Sequence, residues 1–299
     1  MIEIKNLKKY FGKIKALDDV SFTIPKGKIT VIAGADGSGK TTLFKILVGL
    51  IKRDSGEILI DGEDSGENCE KIRKISGYMP ENFSLYSDLT VEENLNFFGE
   101  VYGVEKKKME QTKKLLLEKT GMLEFRKRKA GALSGGMKQK LSLSSILLSS
   151  PELIILDEPT TGVDPLSRIE FFKIIEELRD EGRTIVISTP YLDEAEKGDY
   201  VVFLKNGKIL KSMELNELFK TFKPKILRFT VSQNVFDVMN EIRKIPEYRE
   251  RFYLKGKYIH FLCEEEEELS LKIPYLSKEI VAPRLEDIYM YYEKVYGNE

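Results

Sequence analysis

The amino-acid sequence predicts an α/β fold with a parallel sheet, interrupted by a helical insertion and followed by a small α+β domain. Continuous apolar runs bounded by glycine, such as residues 29–33, are typical of buried parallel strands. Segments with apolar residues at helical spacing lie between these runs, and this alternation is typical of an α/β core. The pattern changes near Phe222. We therefore predict a first domain at residues 1–220, containing a helical subdomain at about 82–150, and a second domain at 224–299.

The elements of the first domain follow from this periodicity. We expect two short strands near its start, four further strands of more continuous apolar character, and helices between them. The predicted strands are 2–4, 20–24, 29–33, 57–60, 153–156 and 184–188, and the predicted helical segments are 40–51, 91–119, a helix after Ser134, and 169–178.

The second domain is predicted from a different order of elements. A strand at 226–231 is followed by a helix at 235–245, a hairpin at 252–263, a strand that includes Ile280 and Val281, and a final helix at 285–295. Ile288, Tyr292 and Val295 lie at helical spacing in the final helix, which predicts that they face a core.

Composition excludes several kinds of site. The 299 residues include one histidine, His260, and two cysteines, so neither a multi-histidine metal site nor a disulfide framework has a basis here. The 48 Lys and Arg residues nearly balance the 49 Asp and Glu residues, which argues against nucleic acid as a partner. No apolar run approaches transmembrane length, and the N-terminus lacks the apolar core of a signal peptide. We therefore expect a soluble, cytoplasmic chain.

Residues 34–41, GADGSGKT, match the phosphate-binding pattern G-x-x-x-x-G-K-[ST] between a predicted strand and a predicted helix. Backbone N–H groups of such a loop surround a phosphate, and the helix N-terminus adds its positive end. We expect Lys40 to reach the β- and γ-phosphates, Thr41 to bind Mg²⁺, and Asp36 to occupy a turn position with positive φ. The candidate nucleotide-binding residues of this loop are Gly34, Ala35, Asp36, Gly37, Ser38, Gly39, Lys40, Thr41 and Thr42.

Two adjacent carboxylates follow the apolar run at residues 153–156, in the sequence LIILDE. Ligands of an open parallel sheet bind at the carboxyl ends of its strands, so these side chains are expected near the phosphate loop. Asp157 would hold Mg²⁺. Glu158 would act on the water that attacks the γ-phosphate and is the candidate catalytic residue.

The sequence LSGGMKQ at residues 133–139 resembles the signature motif of ATP-binding cassette (ABC) transporters. Together with the phosphate loop and LIILDE, it makes residues 1–215 resemble the nucleotide-binding subunit of such a transporter. The resemblance implies an ABC-type P-loop NTPase fold, in which the signature residues contact ATP held by a second subunit. Those residues are Leu133, Ser134, Gly135, Gly136 and Met137. Ser134 and the two glycines also open a helix whose positive end can accept a phosphate.

The resemblance extends to weaker motifs. Residues 77–81, GYMPE, resemble the loop whose Glu or Gln contacts Mg²⁺ and then faces the membrane partner, which implies that role for Glu81. Phe11 corresponds to the aromatic residue that stacks on adenine, with Tyr10 as the alternative. Residues 162–165, GVDP, resemble the loop that communicates across the dimer, which implies that Asp164 is its carboxylate. Residues 283–289, PRLEDIY, resemble the C-terminal extension of subunits that serve ABC-2 exporters.

The pattern is broken at Pro190, where the family has a histidine that contacts the γ-phosphate. Proline has neither a side-chain donor nor an N–H group, and losing one such donor reduces a rate by about 10²–10³. Three explanations stay open. The chain pairs with a different, intact subunit; it forms a slow homodimer in which Tyr191 or a water replaces the histidine; or Pro190 is not the natural residue.

The resemblance implies an ATP-hydrolysing subunit, with ATP and Mg²⁺ as cofactors, that powers a separate transmembrane permease, in export rather than import. Its partners would be the permease and a second nucleotide-binding subunit, without nucleic acid, and it would lie on the inner face of the cell membrane. The alternatives are a catalytically impaired half of a heterodimer and a regulatory ATP-binding module. A cassette protein acting on ribosomes or nucleic acid is disfavoured, because the chain has one cassette and a formal net charge of −1.

Overall fold

The computed structural model describes residues 1–245, 251–263 and 275–296, with side chains up to residue 294. The chain divides into two compact units, Met1–Ser212 and Met213–Glu299. The division lies before Leu215, whereas the sequence predicted a boundary at 220–224. The helix that contains Leu215 and Leu218 therefore belongs to the second unit, where Phe222 at its end packs edge-on against Tyr291, with ring centroids 5.5 Å apart.

The N-terminal unit contains a central sheet, a smaller antiparallel sheet and seven α-helices in the described part of the chain. Its strands are β1 (Ile2–Phe11), β2 (Ile14–Ile24), β3 (Ile29–Ala33), β4 (Ser55–Ile60), β5 (Glu63–Asp64), β6 (Ser76–Met79), β7 (Leu153–Asp157), β8 (Thr184–Thr189), β9 (Tyr200–Lys205) and β10 (Lys208–Glu214). Its helices are α1 (Lys40–Leu47), α2 (Glu70–Ile75), α3 (Val91–Val101), α4 (Lys106–Lys119), α5 (Gly135–Leu147), α6 (Pro165–Asp180) and α7 (Leu192–Ala195).

The central sheet has the strand order β10-β9-β3-β8-β7-β6. The pairs of β3 with β8 and β9, and of β7 with β6 and β8, are parallel, as expected for buried apolar runs. All five residues of β3 and all five of β7 are buried. The carboxyl ends of β3, β7 and β8 meet at one edge, where the phosphate loop begins and where the two carboxylates of LIILDE lie.

The predicted strands are present, but the structure adds to them in two places. After 184–188, strands β9 and β10 extend the sheet beyond β3. The strand predicted at 2–4 continues to Phe11, and the strand predicted at 20–24 already begins at Ile14. Both belong to the antiparallel sheet of order β2-β1-β4-β5. The extra length escaped prediction because nearly all of its side chains are exposed or half-buried and many are charged, so it has no continuous apolar run. Leu7 and Leu17 are fully buried within it.

One hydrophobic core joins the antiparallel sheet, α1 and the central sheet; its members include Leu7, Phe44, Ile155 and Val202. The helical insertion comprises α3, α4 and α5, joined by 3₁₀ turns at Leu123–Phe125 and Ala130–Ala132. The helical segment predicted at 91–119 is interrupted at Gly103, whose φ of 68° ends the first helix. None of the helices in the described residues combines the length and the apolar character that crossing a bilayer requires.

The C-terminal unit has the strand order β12-β13-β11-β14. Phe229, Phe252 and Phe261 form the centre of its core. Ile288 is buried and Tyr292 is half-buried, as their spacing predicted, while the Val295 side chain lies outside the described residues. The elements are α8 (Leu215–Thr221), β11 (Lys225–Val231), α9 (Val235–Arg243), β12 (Phe252–Lys255), β13 (Tyr258–Cys263), β14 (Tyr275–Val281) and α10 (Leu285–Tyr296).

Candidate active site

The phosphate loop connects the buried end of β3 to α1. Gly37 and Gly39 have φ values of 76° and 111°, which only glycine adopts at low cost. A β-carbon on Gly34 would lie 2.1 Å from the Leu204 carbonyl oxygen, so this position must also be glycine. Asp36 lies in the turn, but its φ is not positive; that expectation was wrong because Gly37 provides the left-handed residue.

Lys40 is the most constrained side chain of the loop. It is only 3% exposed, and its ammonium donates hydrogen bonds to the carbonyl oxygens of Gly34 at 2.8 Å and Ala35 at 3.1 Å. The same nitrogen lies 3.1 Å from Oε1 of Glu158. The ammonium is therefore held at the mouth of the loop by oxygen atoms only, and phosphate oxygens offer it the same kind of contact.

The two carboxylates at the end of β7 are held by β8. Ser188 lies opposite Asp157 in the parallel register, and its hydroxyl donates to Asp157 Oδ1 at 2.6 Å. The Glu158 N–H group donates to Ser188 Oγ at 2.9 Å, and the Thr161 hydroxyl donates to Glu158 Oε2 at 3.2 Å. Glu158 has a φ of 46°, a strained value for a residue with a side chain. Such strain is typical of functional sites and turns the Glu158 carboxylate towards Lys40.

A cleft of about 560 Å³ joins these groups. Lys40, Thr41, Thr42, Glu81 and Glu158 all line it, so the structure brings the phosphate loop together with two of the three predicted carboxylates. Asp157 is fully buried directly behind them, where the Tyr78 hydroxyl donates to its Oδ2 at 3.2 Å.

The cleft carries excess negative charge. The pKa of the Glu81 carboxyl is raised by desolvation and then by the nearby carboxylates of Glu158, Asp157 and Asp36. The pKa of the Tyr78 hydroxyl is raised by burial and by Asp157. Carboxylate and hydroxyl oxygens are the ligands that Mg²⁺ prefers. The Thr41 hydroxyl and the carboxylates of Glu81 and Asp157 are therefore suitable ligands for Mg²⁺. The ion would also neutralise part of the negative charge of the two carboxylates.

The signature residues do not line this cleft. Ser134 precedes α5 and accepts a hydrogen bond from the Met137 N–H group at 3.4 Å, which is the geometry of an N-cap. Leu133 is buried, while Ser134 and Gly135 are exposed. A β-carbon on Gly136 would lie 2.5 Å from Cβ of Ser167, so a larger residue would push α5 away from α6. The N-terminus of α5 is therefore accessible, and none of its signature residues lines this chain's own cleft.

The remaining predicted residues lie at the edges of the site. Asp164 is the N-cap of α6 and accepts from the Ser167 N–H group at 2.9 Å. Hydrogen bonding from the Ser167 side chain, and then from its N–H group, lowers the pKa of the Asp164 carboxyl. Phe11 is 49% exposed and pairs with Ile14, a lining residue of the cleft, but does not line it itself. The alternative, Tyr10, donates its hydroxyl to Asp18 at 2.9 Å.

Pro190 follows β8 and is half-buried. The carbonyl oxygen of the preceding residue, Thr189, accepts from the Gly34 N–H group at 3.2 Å, so this strand end contacts the phosphate loop directly. Position 190 has no donor to offer to a ligand there.

Sequence reasoning missed Ser188, Thr161 and Asn206. The first two hold the carboxylates, and Asn206 lines the cleft from the turn between β9 and β10. In that turn, the N–H group of Gly207 donates to the Ser38 carbonyl oxygen at 2.9 Å. The Asn-Gly pair is a hairpin signal that was present in the sequence, whereas the contacts of Ser188 depend on the strand order.

Comparisons with known proteins decide the family. The family model described as ABC transporter matches residues 17–161. The lantibiotic transport ATP-binding protein SrtF of Streptococcus pyogenes is 40% identical over 226 residues, which are 73% of this chain and 96% of that protein. The chain belongs to the ABC transporter family.

Further matches agree with this assignment. A probable multidrug ABC transporter ATP-binding protein, YbhF of Escherichia coli (strain K12), is 38% identical over 269 residues. The match covers 89% of this chain but only 46% of YbhF, so the chain spans less than half of that relative. A solved ATP-binding subunit of an ABC transporter has a TM-score of 0.65 and 30% identity, covering 74% of this chain and 93% of that one. The fold-class prediction and the family resemblance are therefore confirmed: this ABC protein has the P-loop NTPase fold of an ATP-binding cassette.

Proposed function

We propose that this ABC cassette hydrolyses ATP to power a separate membrane permease, and that it works in export. The observation that carries the proposal is the convergence of Lys40, Thr41, Glu81 and Glu158 on one cleft, with Asp157 directly behind it. The names of three relatives support export: multidrug transport for YbhF, lantibiotic transport for SrtF and linearmycin resistance for LnrL of Bacillus subtilis (strain 168).

In this proposal, ATP phosphates occupy the loop at 34–41. Lys40 exchanges its contacts with two loop carbonyls and Glu158 for contacts with the β- and γ-phosphates, which releases the Glu158 carboxylate. Glu158 then accepts a hydrogen bond from the attacking water and orients it towards the γ-phosphate. Thr41, Glu81 and Asp157 would hold Mg²⁺, which, when bound, neutralises charge on the transferred phosphoryl group.

A second cassette completes each site. The N-terminus of α5 is exposed at Ser134 and Gly135, and it lies away from the cleft of its own chain. A helix N-terminus of this kind stabilises an anion, and the γ-phosphate of ATP bound to another subunit is such an anion. This chain carries both halves, so two copies would form two equivalent sites.

The permease is proposed to bind beside Glu81. Four aromatic rings on α3 and at its two ends contact one another and form an aromatic patch: Tyr86, Phe97, Phe98 and Tyr102. Tyr86, Phe97 and Tyr102 are between 39% and 49% exposed. Exposed aromatic clusters are typical of partner interfaces, and an amphipathic cytoplasmic helix of the permease would cover this one.

Pro190 favours a second possibility, a catalytically impaired subunit. With no donor at position 190, hydrolysis at this chain's own cleft is expected to be slow, whether its partner is an identical copy or a different subunit. In the heterodimer version, the signature helix at Ser134 would serve an intact partner site, and the cleft described above would hold ATP with little turnover.

The proposal is tested by comparing the wild-type chain with Glu158→Gln. The amide keeps the shape of the side chain but cannot accept a proton, so phosphate release should fall by about 10²–10³. ATP affinity should stay within a few-fold, because Lys40 and the loop are unchanged. Phosphate release and fluorescent-nucleotide binding measure the two quantities. Glu124→Gln, on an exposed 3₁₀ turn, is the matched control and should behave as wild type. Equal hydrolysis by wild type and Glu158→Gln would refute the proposal.

A further inference from the structure

A buried carboxylate lies just outside the cleft and has no role in the proposed chemistry. Glu194, on α7, is 2% exposed and does not line the cleft. The Thr160 hydroxyl donates to Glu194 Oε1, and the Thr189 hydroxyl donates to Oε2 at 2.6 Å. Nε of Arg168 lies 3.2 Å from Oε1. Both carboxylate oxygens are therefore engaged, and the three partners come from three different segments of the chain.

Each of these segments carries a part of the nucleotide site. Thr160 lies two residues after Glu158 in the same loop. Thr189 is the last residue of β8, directly before Pro190, and its carbonyl oxygen accepts from the phosphate loop. Arg168 lies on the first turn of α6, one turn after Asp164, and its guanidinium also stacks over the Tyr191 ring at 4.7 Å. The Glu194 carboxylate is the group that these three segments share.

A buried carboxylate is costly unless it is fully paired, and removing it leaves its partners unpaired. Thr160 and Thr189 are each 1% exposed, so neither hydroxyl could turn to water in place of Glu194. Loss of the carboxylate would therefore remove the link between Thr160 and Thr189, while the Glu158 N–H group stays bonded to Ser188, so the loop would loosen beyond its first residue. No hydrogen bond or ion pair among the described residues joins Glu194 to the phosphate loop, so the loop should still bind ATP.

We propose that Glu194 is a positioning residue for ATP hydrolysis, which holds the loop of Glu158 against the end of β8 and, through Arg168, couples both to the helix that begins at Asp164. The inference rests on the proposed function. It also gives a physical means of fixing Glu158 in a chain that has Pro190 in place of a histidine. A displacement of about 1 Å in a catalytic group reduces turnover by about 10²-fold, so the expected effect lies in kcat and not in KM.

The kinetic test compares Glu194→Ala, Glu194→Gln and the control Asp193→Asn. Asp193 is the neighbouring acid on α7, with a 74% exposed side chain that only approaches Arg168 at 3.9 Å. Glu194→Ala should lower kcat about 10- to 100-fold with KM for ATP within twofold. Glu194→Gln retains one acceptor oxygen and should recover part of that loss, while Asp193→Asn should match wild type. Thr160→Val should add little to Glu194→Ala, because both remove the same contact. An unchanged kcat in Glu194→Ala, or a KM that rises with the loss of kcat, would overturn the inference.

A second measurement does not depend on hydrolysis. Amide hydrogen exchange should accelerate in Glu194→Ala at residues 158–164 and 189–193, and remain at the wild-type rate in β3 and α1. If the wild-type chain hydrolyses no ATP, the proposed function fails, and this exchange pattern still decides whether Glu194 holds the two segments together. Uniform acceleration through the N-terminal unit, or none in these two segments, would contradict the coupling. Glu194→Gln serves for both measurements if Glu194→Ala fails to fold.

Discussion

The N-termini of α1 and α5 differ in what surrounds them. Neither helix has an acidic residue in its first turn, as expected for a terminus that meets an anion. The α1 terminus has no side-chain cap; it follows Gly39 in the left-handed conformation and carries the buried Lys40. The α5 terminus is capped by Ser134 and exposed. The first is enclosed by its own chain, with carboxylates within reach, and the second faces outwards.

This difference indicates that one chain carries two complementary halves of a site. In the proposed function, the α1 half supplies the ammonium, the hydroxyl and the carboxylates that would bind and cleave a triphosphate. The α5 half has only backbone donors and one hydroxyl, which suffice to recognise a phosphate but not to perform chemistry on it. The N-terminus of α10 offers a contrast, since Asp287 there accepts from the Arg284 N–H group at 2.7 Å and from the Tyr253 hydroxyl, and is 1% exposed. That terminus is satisfied from within the C-terminal unit.

The largest expected effect, a loss of ATP affinity, comes from a substitution in the α1 half. Lys40→Ala removes the cation that contacts the phosphates and leaves Glu158 without its ion-pair partner, so ATP affinity should fall at least about 100-fold. Fluorescent-nucleotide titration measures the change. Lys45→Ala, an exposed lysine on the same helix, should bind ATP as wild type does. Retained affinity in Lys40→Ala would mean that the loop does not hold the phosphates through this residue.

A smaller effect of opposite sign, an increase in ATP turnover, is expected from a substitution at Pro190 in the α1 half. Pro190→His restores a donor beside the strand end that contacts the phosphate loop, and ATP turnover should rise at least about tenfold. Pro190→Ala is the matched control, since it also removes the ring and restores the N–H group but adds no side-chain donor; it should stay near the wild-type rate. Steady-state phosphate release compares the three proteins. An equal rate in Pro190→His and wild type would show that another step limits turnover.

Local sequence predicted the parts of this account that depend on backbone geometry. The loop at 34–41 is determined by its glycines and by its place between a strand and a helix, and LIILDE by its place at a strand end. The role of Ser188 was not predictable, because it depends on β8 lying beside β7, some 30 residues away in the chain. Glu194 was missed for the same reason: its three partners lie in separate segments. Asp36 was wrongly assigned because the sequence does not say which residue of a turn takes positive φ.

In the C-terminal unit, too, local elements were predictable from the sequence and long-range contacts were not. Its hairpin and final helix followed from periodicity, but the role of the PRLEDIY motif did not. Asp287 of that motif is buried, and hydrogen bonds and nearby Lys255 overcome desolvation to hold the pKa of its carboxyl at about 2. Tyr253 and Lys255 lie on β12, and His260, which also helps to lower this pKa, lies on β13. Only the folded unit therefore reveals that the motif anchors the start of α10.

The central claim is that ATP is held between the phosphate loop of one cassette and the Ser134 helix end of another. Light scattering of Glu158→Gln with ATP and Mg²⁺ tests it most directly, in combination with Ser134→Asp or Ser134→Asn. Both residues are good N-caps, so α5 is preserved in each, and only the aspartate places a negative charge against the γ-phosphate. The account predicts an ATP-dependent dimer for Glu158→Gln alone and with Ser134→Asn, and a monomer that still binds ATP with Ser134→Asp. A dimer that persists with Ser134→Asp, or no ATP-dependent dimer in any of the three, would contradict it.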